Sequence, residues 1–285
     1  MLTLIGPRDV ENELRDTVRA WILFGGYGSR TRRGVGSLTV IDDRQAWLPQ
    51  EATLKGFTDL FGGNLFAHAD DPAKNMPRLA GASLLVGSPV SDAHDAWRMA
   101  VRWLADFRQG TQGERGNRAR EPGPEGRPSI SNWPEADKIR HLTGKIPAHP
   151  LGYNKIPAWP RATFGLPIKM RFQTEGRDHT NLDEPGSFSL LWRDGQDEHR
   201  RLASPLIVKA LPLANGAFVP SALWLDRATP QGEVFLEGVA ESGAPFDRIL
   251  DKDDVPRFSP LQKPDLRRSF LGWVTSNFDT TVVVG

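Results

Sequence analysis

Residues 20–41 read Ala20-Trp21-Ile22-Leu23-Phe24-Gly25-Gly26-Tyr27-Gly28-Ser29-Arg30-Thr31-Arg32-Arg33-Gly34-Val35-Gly36-Ser37-Leu38-Thr39-Val40-Ile41. An apolar helix end, a glycine–arginine loop and a run of strand composition stand here in immediate succession. Upstream, Asp9 is placed to cap a helix on which Leu14, Val18, Trp21 and Ile22 recur on one face, and Gly25-Gly26 stops it. Downstream, Ser37–Ile41 reads as a strand with Asp42-Asp43 as its turn. A loop held between a helix and a strand sits at a fixed place on a rigid scaffold.

Five of the twelve residues 25–36 are glycine, which removes side-chain bulk and lets peptide N–H groups approach a phosphate closely. Arg30, Arg32 and Arg33 can supply charge-assisted hydrogen bonds to phosphate oxygens, and Tyr27 offers a face for base stacking. A bland reading stands beside this one: a glycine-rich turn whose arginines are only solvated. Two nucleotide-binding patterns are excluded. A P-loop needs Gly-Lys followed by Ser or Thr, but this loop ends Arg32-Arg33-Gly34, and the pair Gly144-Lys145 is followed by Ile146. The dinucleotide fingerprint opens a helix, whereas this loop follows one.

Further out, Met1–Ile5 is a short apolar strand candidate and residues 50–80 carry little periodicity. Ser83–Val86 reads as a strand. Ser88 or Ser91 then caps a helix with Asp92 and Asp95 in its first turn, a stripe of Trp97, Val101, Leu104 and Phe107, and Gly110 as its stop. Residues 111–128 have no apolar residue beyond Ala119, and a mobile linker is expected there. Trp133-Pro134-Glu135 starts a short helix. Arg161–Gln173 alternates Phe164, Leu166, Ile168, Met170 and Phe172 against polar or small residues, which predicts a strand, with Pro167 at its edge or start. Strands are also predicted over Phe188–Trp192, Pro205–Leu211, Ala217–Leu225 and Glu233–Leu236, and a last helix over Pro264–Asn277 with Leu266, Phe270 and Trp273 inward. Few helices among many strands, in mixed order, indicate an α+β fold.

The chain has 285 residues, a formal net charge of +1 and no cysteine. Near-neutral charge excludes binding of nucleic acid over the whole surface but not a local grip. The absence of thiols excludes disulfides and thiolate metal sites. With no apolar leader and no membrane-length apolar run, a cytoplasmic protein without membrane contact is expected.

In the loop, Phe24 to Leu38 resembles the glycine-rich loop of the RAMP superfamily of CRISPR proteins, and most closely the first RAMP subunits of the Cmr (type III-B) effector complex. Three more segments agree in order: Trp133-Pro134-Glu135 with Ile139-Arg140, Phe164-Gly165-Leu166-Pro167-Ile168, and Arg201-Leu202-Ala203-Ser204-Pro205-Leu206-Ile207 with Lys209. The resemblance runs from about residue 20 to 210. It implies ferredoxin-like (RRM-like) RAMP domains: a first over residues 1–80, incomplete, and a second over residues 81–285. It implies a non-catalytic, cofactor-free, RNA-binding structural subunit of an antiviral type III ribonucleoprotein, whose partners are guide RNA, target RNA and other RAMP subunits. Carried over by residue, the RNA-binding set is Gly25, Gly26, Tyr27, Gly28, Ser29, Arg30, Thr31, Arg32, Arg33, Gly34 and Gly36, with Arg140 and Lys209 from the later segments.

In the family the loop comes deeper in the chain. The departure implies either a split subunit completed by a separate chain or a shortened one, with an exposed sheet edge or apolar face in residues 1–80. Other candidates stand outside the loop. His68, near Asp70 and Asp71, is the base in the alternative reading, a metal-independent RAMP endoribonuclease acting on guide precursor RNA. His94-Asp95 is a metal-site doublet that the start of a helix explains as well. Trp133 is a candidate contact for RNA or a neighbouring subunit, and Lys209 is expected to point across a sheet at RNA.

Overall fold

In a computed structural model the described residues are 5–68, 76–110, 118–121, 123, 129–147, 149–175, 181–195, 197–199 and 201–285. The fold is α+β with antiparallel sheets, as the element order indicated. No helix among the described residues is long and apolar enough to cross a membrane.

The chain divides into two compact units, and not at residue 80. The first comprises residues 1–104, 206–227 and 277–285; the second comprises 105–205 and 228–276. Residues 1–77 therefore do not stand apart. They carry helices α1 (Glu11–Phe24), α2 (Arg44–Trp47) and α3 (Leu54–Phe61) but no strand among those described. Strand β1 (Arg78–Gly87) follows, then α4 (Ala93–Gln109). The first unit is completed by three strands from later in the chain, β7 (Leu206–Pro212), β8 (Phe218–Asp226) and β11 (Thr280–Val284). Their spatial order is β11-β1-β8-β7, every neighbour antiparallel.

Alternation sorts the strand residues onto two faces. Leu84 and Val86, Ile207 and Leu211, and Val219 and Leu223 pack with Leu23, Phe24, Leu48, Phe57 and Phe66 in one buried cluster. Burying that apolar surface is what holds residues 18–66 on the sheet. The opposite face carries Gly87, where an added Cβ would meet Trp103 of α4 at 3.2 Å. The buried stripe of α4 is Ala96, Ala100, Trp103 and Phe107; of the predicted stripe only Phe107 is fully buried.

Three predicted elements differ. Ser37–Ile41 forms no strand; its Leu38 and Val40 pack against the buried cluster instead. Residues 50–80 are not irregular throughout. Thr53 caps α3 by accepting a hydrogen bond from the Gly56 N–H at 3.0 Å, and Gly62 ends it at φ +69°. Among the described residues 5–68 and 76–77 there is no strand, and so none of the exposed sheet edge expected within residues 1–80. Met1–Leu4 lie outside the described residues.

The second unit contains β2 (Arg120–Glu121), β3 (Ile130–Ser131), α5 (Pro134–Leu142), β4 (Ile168–Arg171), β5 (Ser187–Asp194), β6 (Asp197–His199), β9 (Glu233–Leu236), β10 (Ala244–Pro245) and most of α6 (Leu266–Asn277). Its larger sheet runs β10-β9-β5-β4, with β6 paired to β5. The predicted strand over Arg161–Gln173 shrinks to β4, because Pro160–Phe164 coils into a 3-10 turn. Pro167 falls just before the strand start, on an edge, where its missing N–H costs nothing. Most of the predicted linker 111–128 lies outside the described residues; within it, Arg120 pairs with Ser131 and Ala119 is buried.

Helix α5 is buried along charged residues. Lys138 donates to Asp254 at 2.7 Å with both side chains fully enclosed, and Arg140 is paired with Asp137 and twice with Glu184. Such pairs stabilise little against apolar replacements, but breaking one strands a buried charge. Asp254→Ala is expected to cost about 3–5 kcal/mol in chemical denaturation. The double change Lys138→Met/Asp254→Leu is expected to recover only part of that loss, since Ile156 O and the Asn154 N–H lose their partners with the pair.

Candidate functional site

The loop Gly25–Ser37 begins where α1 ends. The Gly25 N–H donates to Trp21 O at 3.0 Å, and the carbonyl groups left over at the helix end need partners. Lys209 supplies them: its Nζ donates to Ile22 O at 2.7 Å and to Gly25 O at 2.9 Å. Lys209 projects from β7 on the side opposite Leu206 and Val208, as expected. It is only 2% exposed, however, and grips the protein's own backbone instead of facing RNA. Burial pushes its amine down to about 7, and the neutral amine still has the two N–H donors that two carbonyls require.

From there the loop folds back on itself. The Tyr27 N–H donates to Gly36 O at 2.8 Å, and Thr31–Arg33 form a single 3-10 turn that packs on β7. Gly34 lies against the strand: an added Cβ would stand 2.8 Å from Val208 O and 2.7 Å from a Trp97 ring carbon. Trp97 also donates its indole N–H to Arg33 O at 2.7 Å. Gly36, at φ +79°, would place a Cβ 1.9 Å from Tyr27 O. These glycines thus close the loop upon its scaffold. Only Gly28 among the loop's five meets nothing within 4 Å, and it alone fits the notion of a residue kept small for an incoming ligand.

The crest faces outward. Tyr27 is 73% exposed, and Gly28, Ser29, Arg30 and Arg33 are exposed with it. The peptide N–H groups of Gly28, Ser29 and Arg30 make no hydrogen bond to the described residues. Arg30 and Arg33 enter no ion pair among them. Arg32 is half-buried, and its Nη1 is enclosed without a hydrogen-bond partner among the described residues. Burial lowers this guanidinium from its ordinary value.

The structure brings together the loop and Lys209, and His94 stacks at 5.5 Å on the Trp97 ring that bonds the loop. Arg140 is in the second unit, 7% exposed and spent on Asp137 and Glu184. Trp133 is fully buried beside Phe107 and Phe258, with Arg161 over its ring. Arg19, an early arginine counted with the loop's, donates to Ala46 O and Leu60 O and ties α1 to α2 and α3. His68 is exposed next to Gly81 and the Asp226 carboxylate, which itself pairs with Arg78 at 3.2 Å; Asp70 and Asp71 lie outside the described residues. Asp92, His94 and Asp95 do stand together, all exposed, yet Asp92 Oδ1 already accepts from the His94 and Asp95 N–H groups as the cap of α4. The residue that sequence reading missed is Trp97. Its spacing from Ala96 and Ala100 marks it as the flank of the buried stripe, and a flanking tryptophan has an N–H to spend on a neighbour.

The chain matches no protein-family model, no curated protein and no solved structure in the comparisons made.

Two outcomes follow from the packing. Gly34→Ala is expected to destabilise the fold by about 2 kcal/mol or more in chemical denaturation, since it adds a backbone clash to an unfavourable φ. Gly28→Ala, with open space around it, is expected to cost about 1 kcal/mol. Between pH 7 and 10.5 the unfolded chain holds a proton that Lys209 has released in the folded one, so stability rises with pH across that window and levels off above it. Lys209→Met is expected to remove this rise from the pH profile of the denaturation midpoint.

Proposed function

We propose that this chain is a non-catalytic RNA-binding subunit of a type III CRISPR ribonucleoprotein, a RAMP protein whose loop Gly25–Ser37 lies against the sugar–phosphate backbone of guide or target RNA. One observation carries the reading. The loop is clamped at its roots by Lys209 and Trp97, while its crest carries three peptide N–H groups that no described residue pairs, with Tyr27, Arg30 and Arg33 exposed beside them. Fixed amides and guanidinium groups of this kind suit a polyanion and read no base, in keeping with an assembly where guide–target pairing supplies the sequence specificity.

The first unit's sheet supports a ferredoxin-like domain. Its elements follow the chain as β1–α4–β7–β8–β11, with α6 of the second unit preceding β11 in sequence, and the strands lie in the order last, first, third, second. Two interlocked β-α-β units arranged in this way are the pattern of that fold. The family-like segments other than the loop then act as scaffold: Lys209 secures the loop root, and Arg140 closes an internal ion pair. Neighbouring RAMP subunits, and a separate chain completing the first domain, belong to the same reading.

Single-stranded RNA binding tests it. Arg30→Ala/Arg32→Ala/Arg33→Ala is expected to weaken affinity and to flatten its dependence on log salt by about 0.7 for each phosphate that is no longer neutralised. Binding and assembly equal to the parent's would show the loop assignment to be wrong. Labelled guide precursor incubated without metal is expected to stay intact; cleavage at a defined position that vanishes in His68→Ala would establish the endoribonuclease instead.

A further inference from the structure

Helix α4 begins with two rings that its buried stripe does not use. The stripe is Ala96, Ala100, Trp103 and Phe107, whereas His94 and Trp97 lie one turn apart on the surface beside it. Their ring centroids are 5.5 Å apart and their planes tilt by 38°. Trp97 is half-buried and His94 is exposed. Beyond Trp97, the His94 ring makes no ring contact or hydrogen bond with a described residue.

The pair is fastened to the loop. Trp97 donates its indole N–H to Arg33 O at 2.7 Å, and one of its ring carbons would stand 2.7 Å from a Cβ added at Gly34. Both contacts hold the ring in place, while the Arg33 side chain is exposed. One loop residue therefore joins a cation suited to a phosphate and an aromatic ring in a fixed position. Ring pairs at this spacing are ordinary on helix surfaces; this one is set apart by its attachment to a segment with exposed arginines. The charges around it also differ from those of the loop. Side-chain atoms of Asp92, His94 and Asp95 lie within 4.8 Å of one another, and Asp95 meets Arg98 at 3.7 Å. Carboxylates at this end disfavour a phosphate but not the uncharged face of a base.

We infer that His94 and Trp97 form a stacking site for an unpaired nucleobase, with purines favoured for their larger face. The inference rests on the RNA-binding reading and deepens it, because loop and helix start divide a nucleotide between them. Arg33 takes the phosphate, and the ring pair takes the base. Stacking of this kind reads no sequence, since every base has a face to offer. It does require the base to be out of a duplex, where neighbouring pairs already cover it. The RNA held at this point is thus single-stranded and not the guide–target duplex.

The test uses the full chain with His94→Ala, His94→Phe and Arg30→Ala variants. The probes are oligoadenylate, oligouridylate and an abasic ribose-phosphate strand of the same length, with a metal chelator throughout. The parent is expected to bind oligoadenylate most tightly and the abasic strand least. His94→Ala is expected to unfold at the parent's midpoint and to bind oligoadenylate about tenfold more weakly. Its affinity for the abasic strand and its salt dependence should match the parent's, whereas Arg30→Ala should flatten the salt dependence on every strand. His94→Phe keeps a ring but can neither carry charge nor bind an ion, and it should retain the parent's affinity for oligoadenylate. Oligoadenylate binding by His94→Ala equal to the parent's would overturn the inference and leave the RNA reading standing. So would an equal loss on the abasic strand, which would make His94 a cation, or a failure of His94→Phe to restore binding. If the parent binds none of the three strands, the RNA reading fails and the stacking site falls with it.

Discussion

A lysine amine enclosed at the edge of a four-stranded sheet donates to two carbonyl oxygens at the end of the first long helix. The rest of the arrangement depends on this contact between Lys209 and the backbone at Ile22 and Gly25. It satisfies groups that a helix terminus leaves open, and it does so from a strand that arrives in the chain nearly two hundred residues later. Because the anchor is a strand residue, the position of the loop is set by the sheet and not by the loop's own conformational preferences. Trp97 repeats the device from α4 by taking Arg33 O. A glycine-rich segment of this length, left alone, would sample many shapes. Held at two points, it presents a fixed crest.

The glycines carry two separate duties. Gly34 and Gly36 are required by close approach of other backbone, to Val208 O and to Tyr27 O; they make the loop compact. Gly28 is surrounded by open space and keeps the crest low. A count of glycines does not distinguish these duties, which is why a segment rich in glycine can be rigid at its base and accessible at its tip. The arginines divide in a similar way. Arg19 is consumed in tying helices together, Arg30 and Arg33 are solvent-facing, and Arg32 is half-buried, with one guanidinium nitrogen that meets no acceptor among the described residues.

Much of the α+β framework was legible in the sequence. Strands β5, β7, β8 and β9 and helices α4, α5 and α6 follow from alternation, periodicity and punctuation by Gly, Pro and Asp, and the structure places their boundaries within a few residues. The failures have physical causes. Helix α3 was hidden because it is short and holds Gly56, although Thr53, Leu54, Phe57 and Phe61 carry its cap and apolar stripe. Ser37–Ile41 has strand composition, but its Leu38 and Val40 are spent on packing against the core cluster without ladder pairing. Phe164 to Phe172 alternates throughout, yet its first half coils, since alternation records which side chains are buried and a 3-10 turn can bury the same set. At the candidate site the loop itself was legible, but the environments of Lys209, Arg140 and Trp133 were not. A cation in a strand or helix pattern reads as solvent-facing unless its partner is known, and those partners, Ile22 O, Glu184 and Phe107, lie 187, 44 and 26 residues away in sequence.

The most direct measurement of the central claim is a resolved structure of the chain with single-stranded RNA bound, alone or within its assembly. The account predicts backbone phosphates within hydrogen-bonding distance of the peptide N–H groups of Gly28 to Arg30 and of the Arg32 guanidinium. RNA seated on another surface, with residues 25–37 turned away from it, would contradict the account.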